Sequence, residues 1–163
     1  MRSPQPAKRL GQLLVERRLV TPAQLDQALA RQRATKEFVG RILVQLGFLT
    51  PDALTTTLSE QFGIPWERLT VDRVDWTIIK QFPRAILADG RCFPIRADAE
   101  SVTVAIVDPL EVWALGAIEK AANFRTVKVV LVTEQDLHAV VASYQRQALQ
   151  SIEARLRDGP KTQ

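Results

Sequence analysis

Cysteine and histidine are almost missing from this chain: Cys92 and His138 are the sole examples among 163 residues. One cysteine cannot close an internal disulfide, which fits a reducing cytoplasm. A metal centre needs several His, Cys or carboxylate ligands at set spacing, and no such cluster is visible. A Ser/His/Asp triad could use only His138, and no serine sits in a glycine-flanked nucleophile elbow. His138 therefore reads as a surface or packing residue, and Cys92 as a small core residue. The phosphate-loop pattern G-x-x-x-x-G-K-[ST] is absent, which excludes a nucleotide-hydrolysing core of that type. These absences predict no catalytic residue, no metal and no resident cofactor. No apolar run approaches the roughly 20 residues that span a bilayer, so no transmembrane segment is expected. The polar stretch from Met1 to Lys8 has no apolar core of a secretory signal and is expected to be disordered. Aromatics make up 6% of the chain and basic residues are scattered, which disfavours nucleic acid as a partner. The net charge of +4 suits either a solubilising surface or an anionic partner.

What the sequence does have is a duplication. Arg9 to Gln32 reads RLGQLLVERRLVTPAQLDQALARQ, and Phe38 to Gln61 reads FVGRILVQLGFLTPDALTTTLSEQ. The two copies align without a gap at an offset of 29 residues. The shared positions are Gly11/Gly40, Leu14/Leu43, Val15/Val44, Thr21/Thr50, Pro22/Pro51, Leu25/Leu54, Leu29/Leu58 and Gln32/Gln61. Most other positions exchange one apolar residue for another, so the repeat is a structural unit.

Each copy predicts a pair of helices. The first helix runs over about 9–17 and 39–46. Thr21 and Thr50 then cap a second helix that starts on Pro22 and Pro51. Gly47 follows its helix where a left-handed residue is expected; Arg18 holds that place in the first copy, at some strain. Past Gly63-Ile64-Pro65 the pattern changes. Trp66 to Asp75 reads as irregular or extended, and short helices are expected over 75–80 and 83–87, with a turn at Ala88-Asp89-Gly90. Strands are predicted over 92–97, 101–107 and 126–132, with Asp98-Ala99-Glu100 as a hairpin turn. Asp108-Pro109 should start a helix to about Asn123, and Thr133 should cap a last one with Asp136 completing a capping box. The fold class expected is α+β: an all-helical lobe of two tandem helix-pair repeats over 9–63, then a small α/β sandwich-like lobe over 64–144. Residues 145–163 read as a polar helix end and linker or tail.

Most leucines of the repeat are core by their spacing. Arg9, Gly11, Gln32, Gly40 and Gln61 are not explained that way. A glycine near a helix start costs about 1 kcal/mol in propensity unless something approaches the backbone there. Two readings stay open: close packing, or a ligand. Helix N-termini with unpaired N–H groups suit phosphate, and arginine adds a bidentate donor. Two such ends in tandem would suit a ligand with two phosphates and approximate two-fold symmetry.

The doubled motif resembles the MshEN domain, the N-terminal domain of type II secretion and type IV pilus assembly ATPases of the GspE/PilB kind. The segments FGIPW and VTVAIVDPLE are similar to that family as well. The resemblance implies a cytoplasmic, regulatory domain that binds cyclic di-GMP, in a bacterial protein with an ATPase core, or a stand-alone regulator built from the domain. It implies ligand contacts from Arg9, Leu10, Gly11 and Gln32 in the first motif, and from Val39, Gly40 and Gln61 in the second. Leu25, Leu29, Leu54 and Leu58 would line the apolar walls. Asp108 either faces the same site or caps a helix before Pro109. Two departures stand out. The family pattern opens each motif with a basic residue where the second copy has Phe38, and has glycine where the first copy has Arg18. Loss of one arginine removes about 1.5–3 kcal/mol of charge-assisted hydrogen bonding, roughly tenfold to a hundredfold in affinity. Arg41, one turn on, could substitute, or Phe38 could stack on a guanine. The other function expected of such a domain is docking: tethering an ATPase to an inner-membrane assembly platform without binding nucleotide.

Overall fold

A computed structural model describes residues 9–157 except Glu111 and Phe124, and for 112–114 it describes the backbone alone. The predicted disorder of 1–8 and the tail from 158 onward lie outside the described residues. The chain divides into two compact units after Trp66.

The first unit is four helices: α1 (Leu10–Glu16), α2 (Pro22–Thr35), α3 (Val39–Gln45) and α4 (Pro51–Phe62). Thr21 and Thr50 cap α2 and α4 as their sequence positions require. Each hydroxyl accepts the N–H three residues on, from Gln24 and Ala53, at 3.2 Å. In the first copy the Gln24 side chain returns the bond, accepting the Thr21 N–H at 2.8 Å.

The duplication extends to single hydrogen bonds. The Leu19 and Phe48 amides donate to the Leu14 and Leu43 carbonyls at 2.9 Å, and the Arg18 and Gly47 amides to Val15 and Val44 at 2.9 Å. Both copies thus end the first helix in the same left-handed turn, with φ of 58° at Arg18 and 72° at Gly47. Leu14, Val20, Ala28, Ile42, Leu43, Leu49 and Leu58 are buried in this unit. Thr55 and Thr57 are buried too, and their hydroxyls donate back to the Pro51 and Ala53 carbonyls at 3.0 and 2.8 Å. The ion pair Arg17–Glu60 joins the end of α1 to α4.

The second unit is α5 (Arg84–Asp89), β1 (Cys92–Ala97), β2 (Ser101–Ile106), α6 (Val112–Ala121), β3 (Thr126–Leu131) and α7 (Glu134–Arg157), preceded by 3-10 turns at Val71–Arg73 and Ile78–Gln81. Strand order is β1-β2-β3, antiparallel for the first pair and parallel for the second, with α6 in the crossover. β2 is the central strand and is buried along its whole length. The Asp98 carboxylate holds the hairpin by accepting the Glu100 N–H at 2.8 Å, the Ser101 N–H at 2.6 Å and the Ser101 hydroxyl at 2.9 Å. These bonds, the Glu100 amide first, hold its pKa below the ordinary aspartate value. Phe93 is fully buried and meets Trp76 and Tyr144 edge-on, with ring centroids 6.2 and 6.0 Å apart. Cys92 is buried, as expected, and His138 is exposed.

Segment 67–75 runs across the sheet from edge to edge. At the β3 edge the Glu67 N–H donates to the Leu131 carbonyl at 3.0 Å. At the β1 edge the Asp75 N–H donates to the carbonyl of Ile95, the residue bulged between Pro94 and Arg96, at 2.8 Å. The Arg96 guanidinium pins the same segment through a two-pronged bond to the Glu67 carboxylate at 2.8 and 2.9 Å.

Three local expectations are corrected. α6 begins at Val112, because Asp108 and Pro109 form a turn in which the Asp108 carboxylate accepts the Leu110 N–H at 2.8 Å. Thr133 caps α7 by accepting from Asp136, but the Asp136 carboxylate does not complete a box; it accepts from the Leu69 N–H at 3.3 Å. Ala88 and Asp89 belong to α5, and only Gly90 is left-handed, at φ 74°. The helix end expected beyond Tyr144 runs to Arg157, with Leu149, Ile152 and Leu156 exposed along it.

Candidate functional site

The candidate site lies in the helical unit, where each copy brings the start of its first helix against its second. Arg9 is the exposed residue before α1, and its N–H donates to the Gln12 side chain at 3.3 Å. Leu10 is buried in the first turn. Gly11 follows, and Leu25 from α2 lies directly on it: a Cβ at Gly11 would stand 2.9 and 3.0 Å from the two Leu25 methyls. The second copy repeats this, with a Cβ at Gly40 standing 2.6 Å from Leu54 Cδ1. Both glycines thus lie in close contact with the repeat's own leucines, more tightly at Gly40 than at Gly11. The same packing puts Leu25 and Leu54, each half-buried, beside the starts of α1 and α3.

The copies differ at one place. Phe38 Cε1 lies 2.7 Å from where a Gly40 Cβ would be, whereas the three nearest atoms at Gly11 all belong to Leu25. Gly40 is buried and Gly11 only partly so. Val39 is half-buried and Arg41 exposed on α3. Leu29 is half-buried, Leu58 buried. The Gln32 amide donates to the Glu37 carbonyl at 2.8 Å and so holds the spacer between the copies. Gln61, its counterpart, is half-buried on α4. Asp108 belongs to the other unit, where its carboxylate closes the local turn at Leu110.

Beside Leu25 is an open groove of about 300 Å³ lined by Gln12, Val15, Glu16, Pro22, Leu25 and Asp26. Of these only Leu25 was expected from the sequence. The signal was there: 12, 15 and 16 share one face of α1, and 22, 25 and 26 share one face of α2. No group of three or more His, Cys, Asp or Glu side chains is placed to hold a metal ion among the described residues.

The class the fold defines is a tandem pair of helix hairpins with glycine-leucine contacts, followed by a three-stranded α/β unit. The chain belongs to the MshEN domain family: its residues 62–151 match the family model. That match falls on the end of α4 and the second unit, although the tandem repeat carried the resemblance in the sequence. The type IV pilus assembly ATPase PilB of Myxococcus xanthus is 28% identical over 145 residues, 89% of this chain and 25% of that protein. Bacteriophage adsorption protein B of Escherichia coli K12 is 28% identical over 76% of this chain and 16% of its own length. The chain therefore spans a quarter or less of these curated relatives. Among solved structures, MshE with cdg (cyclic di-GMP) is 29% identical, covering 84% of this chain and 99% of that one, with a TM-score of 0.70. No described helix is long and apolar enough to cross a membrane.

Proposed function

We propose that this chain is a non-catalytic regulatory domain that binds cyclic di-GMP through its tandem repeat. The observation that carries the reading is the likeness to MshE with cdg, which extends over both units at 29% identity. The first copy supplies the ligand contacts Arg9, Leu10 and Gly11, with Leu25 and Leu29 as apolar wall and Gln32 fixing the spacer. The second supplies Val39, Gly40 and Gln61 with Leu54 and Leu58, and Arg41 as its nearest guanidinium. Arg9 is exposed, so an anion from solvent can reach its guanidinium. The domain works in the cytoplasm, joined to an ATPase core of a type IV pilus or type II secretion system, or to another effector, as the likeness to adsorption protein B suggests.

Titration calorimetry with cyclic di-GMP tests the proposal. Binding in the micromolar range or better is expected, with a loss of roughly tenfold or more in Arg9→Ala, the worth of a charge-assisted hydrogen bond. No heat at high micromolar ligand refutes it. The docking function would then stand in its place: co-purification with the cytoplasmic part of a membrane platform protein, indifferent to Arg9→Ala.

A further inference from the structure

The two copies share their backbone hydrogen bonds, yet only the second has an aromatic ring on its glycine. We infer that Phe38 is the specificity-determining residue of the repeat: its ring closes the Gly40 face, and a ligand that spans both copies has to displace it. The inference rests on the cyclic di-GMP reading above.

Three observations carry it. The Phe38 ring edge and the Leu54 methyl both lie within 2.7 Å of the position a Gly40 Cβ would take, so side chain already covers that face from two directions. Gly40 is buried, while Gly11, whose three nearest side-chain atoms all belong to Leu25, is partly open. The residue at the same place in the first copy, Arg9, is exposed and is not among the nearest atoms to Gly11. The backbone does not account for the difference: Arg9 and Phe38 precede their helices with φ/ψ of −62°/141° and −66°/130°. The cause is the side chain. A guanidinium is drawn outward by water, whereas a phenyl ring gains by covering apolar surface. A phosphate or a guanine reaching the Gly40 backbone meets that ring first. A small ligand engaging only the first copy does not meet it. Phe38 thereby weakens binding of the two-phosphate ligand and leaves a one-phosphate ligand unaffected.

The test uses the whole chain, with cyclic di-GMP and GMP as probes, on wild type, Phe38→Ala and Phe38→Arg. Proton NMR of Gly40 gives a readout independent of affinity, since a ring held over the α-carbon displaces the Gly40 α-protons. Displacement is expected in the free wild type, and saturation with cyclic di-GMP should relieve it. Phe38→Ala should bind cyclic di-GMP about tenfold tighter than wild type, roughly 1.4 kcal/mol, and Phe38→Arg, which also restores a guanidinium, tighter still, with GMP unchanged. The arginine variant keeps a long side chain at this place and guards against a folding defect in the alanine variant. Equal cyclic di-GMP affinity in all three proteins, or a Gly40 signal that saturation leaves unmoved, overturns the inference while the nucleotide reading stands. Binding by none of the three overturns the nucleotide reading itself, and this inference with it.

Discussion

Adding one methyl group at Gly11 and at Gly40 should have different effects, although the two positions are equivalent by sequence. Alanine in place of glycine gains at most about 1 kcal/mol of helix propensity at these positions. Against this stands overpacking, about 1–3 kcal/mol where a core cannot yield. At Gly11 the new methyl meets the end of one flexible, half-buried side chain, Leu25, which borders an open groove into which it can turn. Gly11→Ala should therefore be within about 0.5 kcal/mol of wild type. At Gly40 the methyl meets Leu54 at 2.6 Å and Phe38 at 2.7 Å, and the position is buried. Gly40→Ala should cost about 1–2 kcal/mol. Urea unfolding followed by far-UV circular dichroism measures both. A double-mutant cycle then identifies the cause: Gly40→Ala should cost less in a Phe38→Ala background, since one of the two obstacles is gone. Equal destabilisation at the two glycines, or the same cost in both backgrounds, would refute the reasoning.

Arg18 stands in a left-handed turn that its counterpart Gly47 occupies without a Cβ. Arg18→Gly should stabilise by about 0.5 kcal/mol, as relief of the side-chain strain outweighs the added freedom of the unfolded chain. A lower melting temperature would show that the arginine makes compensating contacts. Glu67 is held below its ordinary pKa, chiefly by its hydrogen bonds to Arg96 and also by that charge; burial opposes the shift. A lowered folded-state pKa means stabilisation present at neutral pH and lost as pH falls through that value. The stability gap between wild type and Glu67→Gln should thus be about 1 kcal/mol at pH 7, discounted for the exposed arginine, and should shrink as pH falls below the ordinary glutamate range. A gap in denaturant melts that does not shrink on acidification would count against the pair.

The parts of the fold fixed by local patterns were readable in the sequence. The threonine-proline helix starts, the β-branched strands and the Asp98 hairpin sit where their residues put them. Part of what escaped reading was set by partners distant in the chain. Asp136 has the spacing of a capping box, yet its carboxylate goes to Leu69, 67 residues away. Asp108-Pro109 has the chemistry of either a helix start or a turn, and local hydrogen bonding chose the turn. The glycines illustrate the same limit at the candidate site. Their recurrence showed that something presses on the backbone, but a pattern of letters does not say whether it is a ligand or Leu25 and Leu54. Phe38 was visible as a departure; that its ring lies on Gly40 required coordinates.

The crossing of segment 67–75 has a consequence for solubility. A three-stranded sheet has two free margins, and bare margins recruit strands from other molecules. Here the Glu67 amide occupies a carbonyl on one margin and the Asp75 amide a carbonyl on the other, while Pro94 offers β1 no N–H at all. A single short stretch of chain thus works as a clasp against β-aggregation on both sides, closed by the Arg96–Glu67 pair. Loosening the clasp would leave the strands paired, yet give the sheet a surface on which another chain could add a strand.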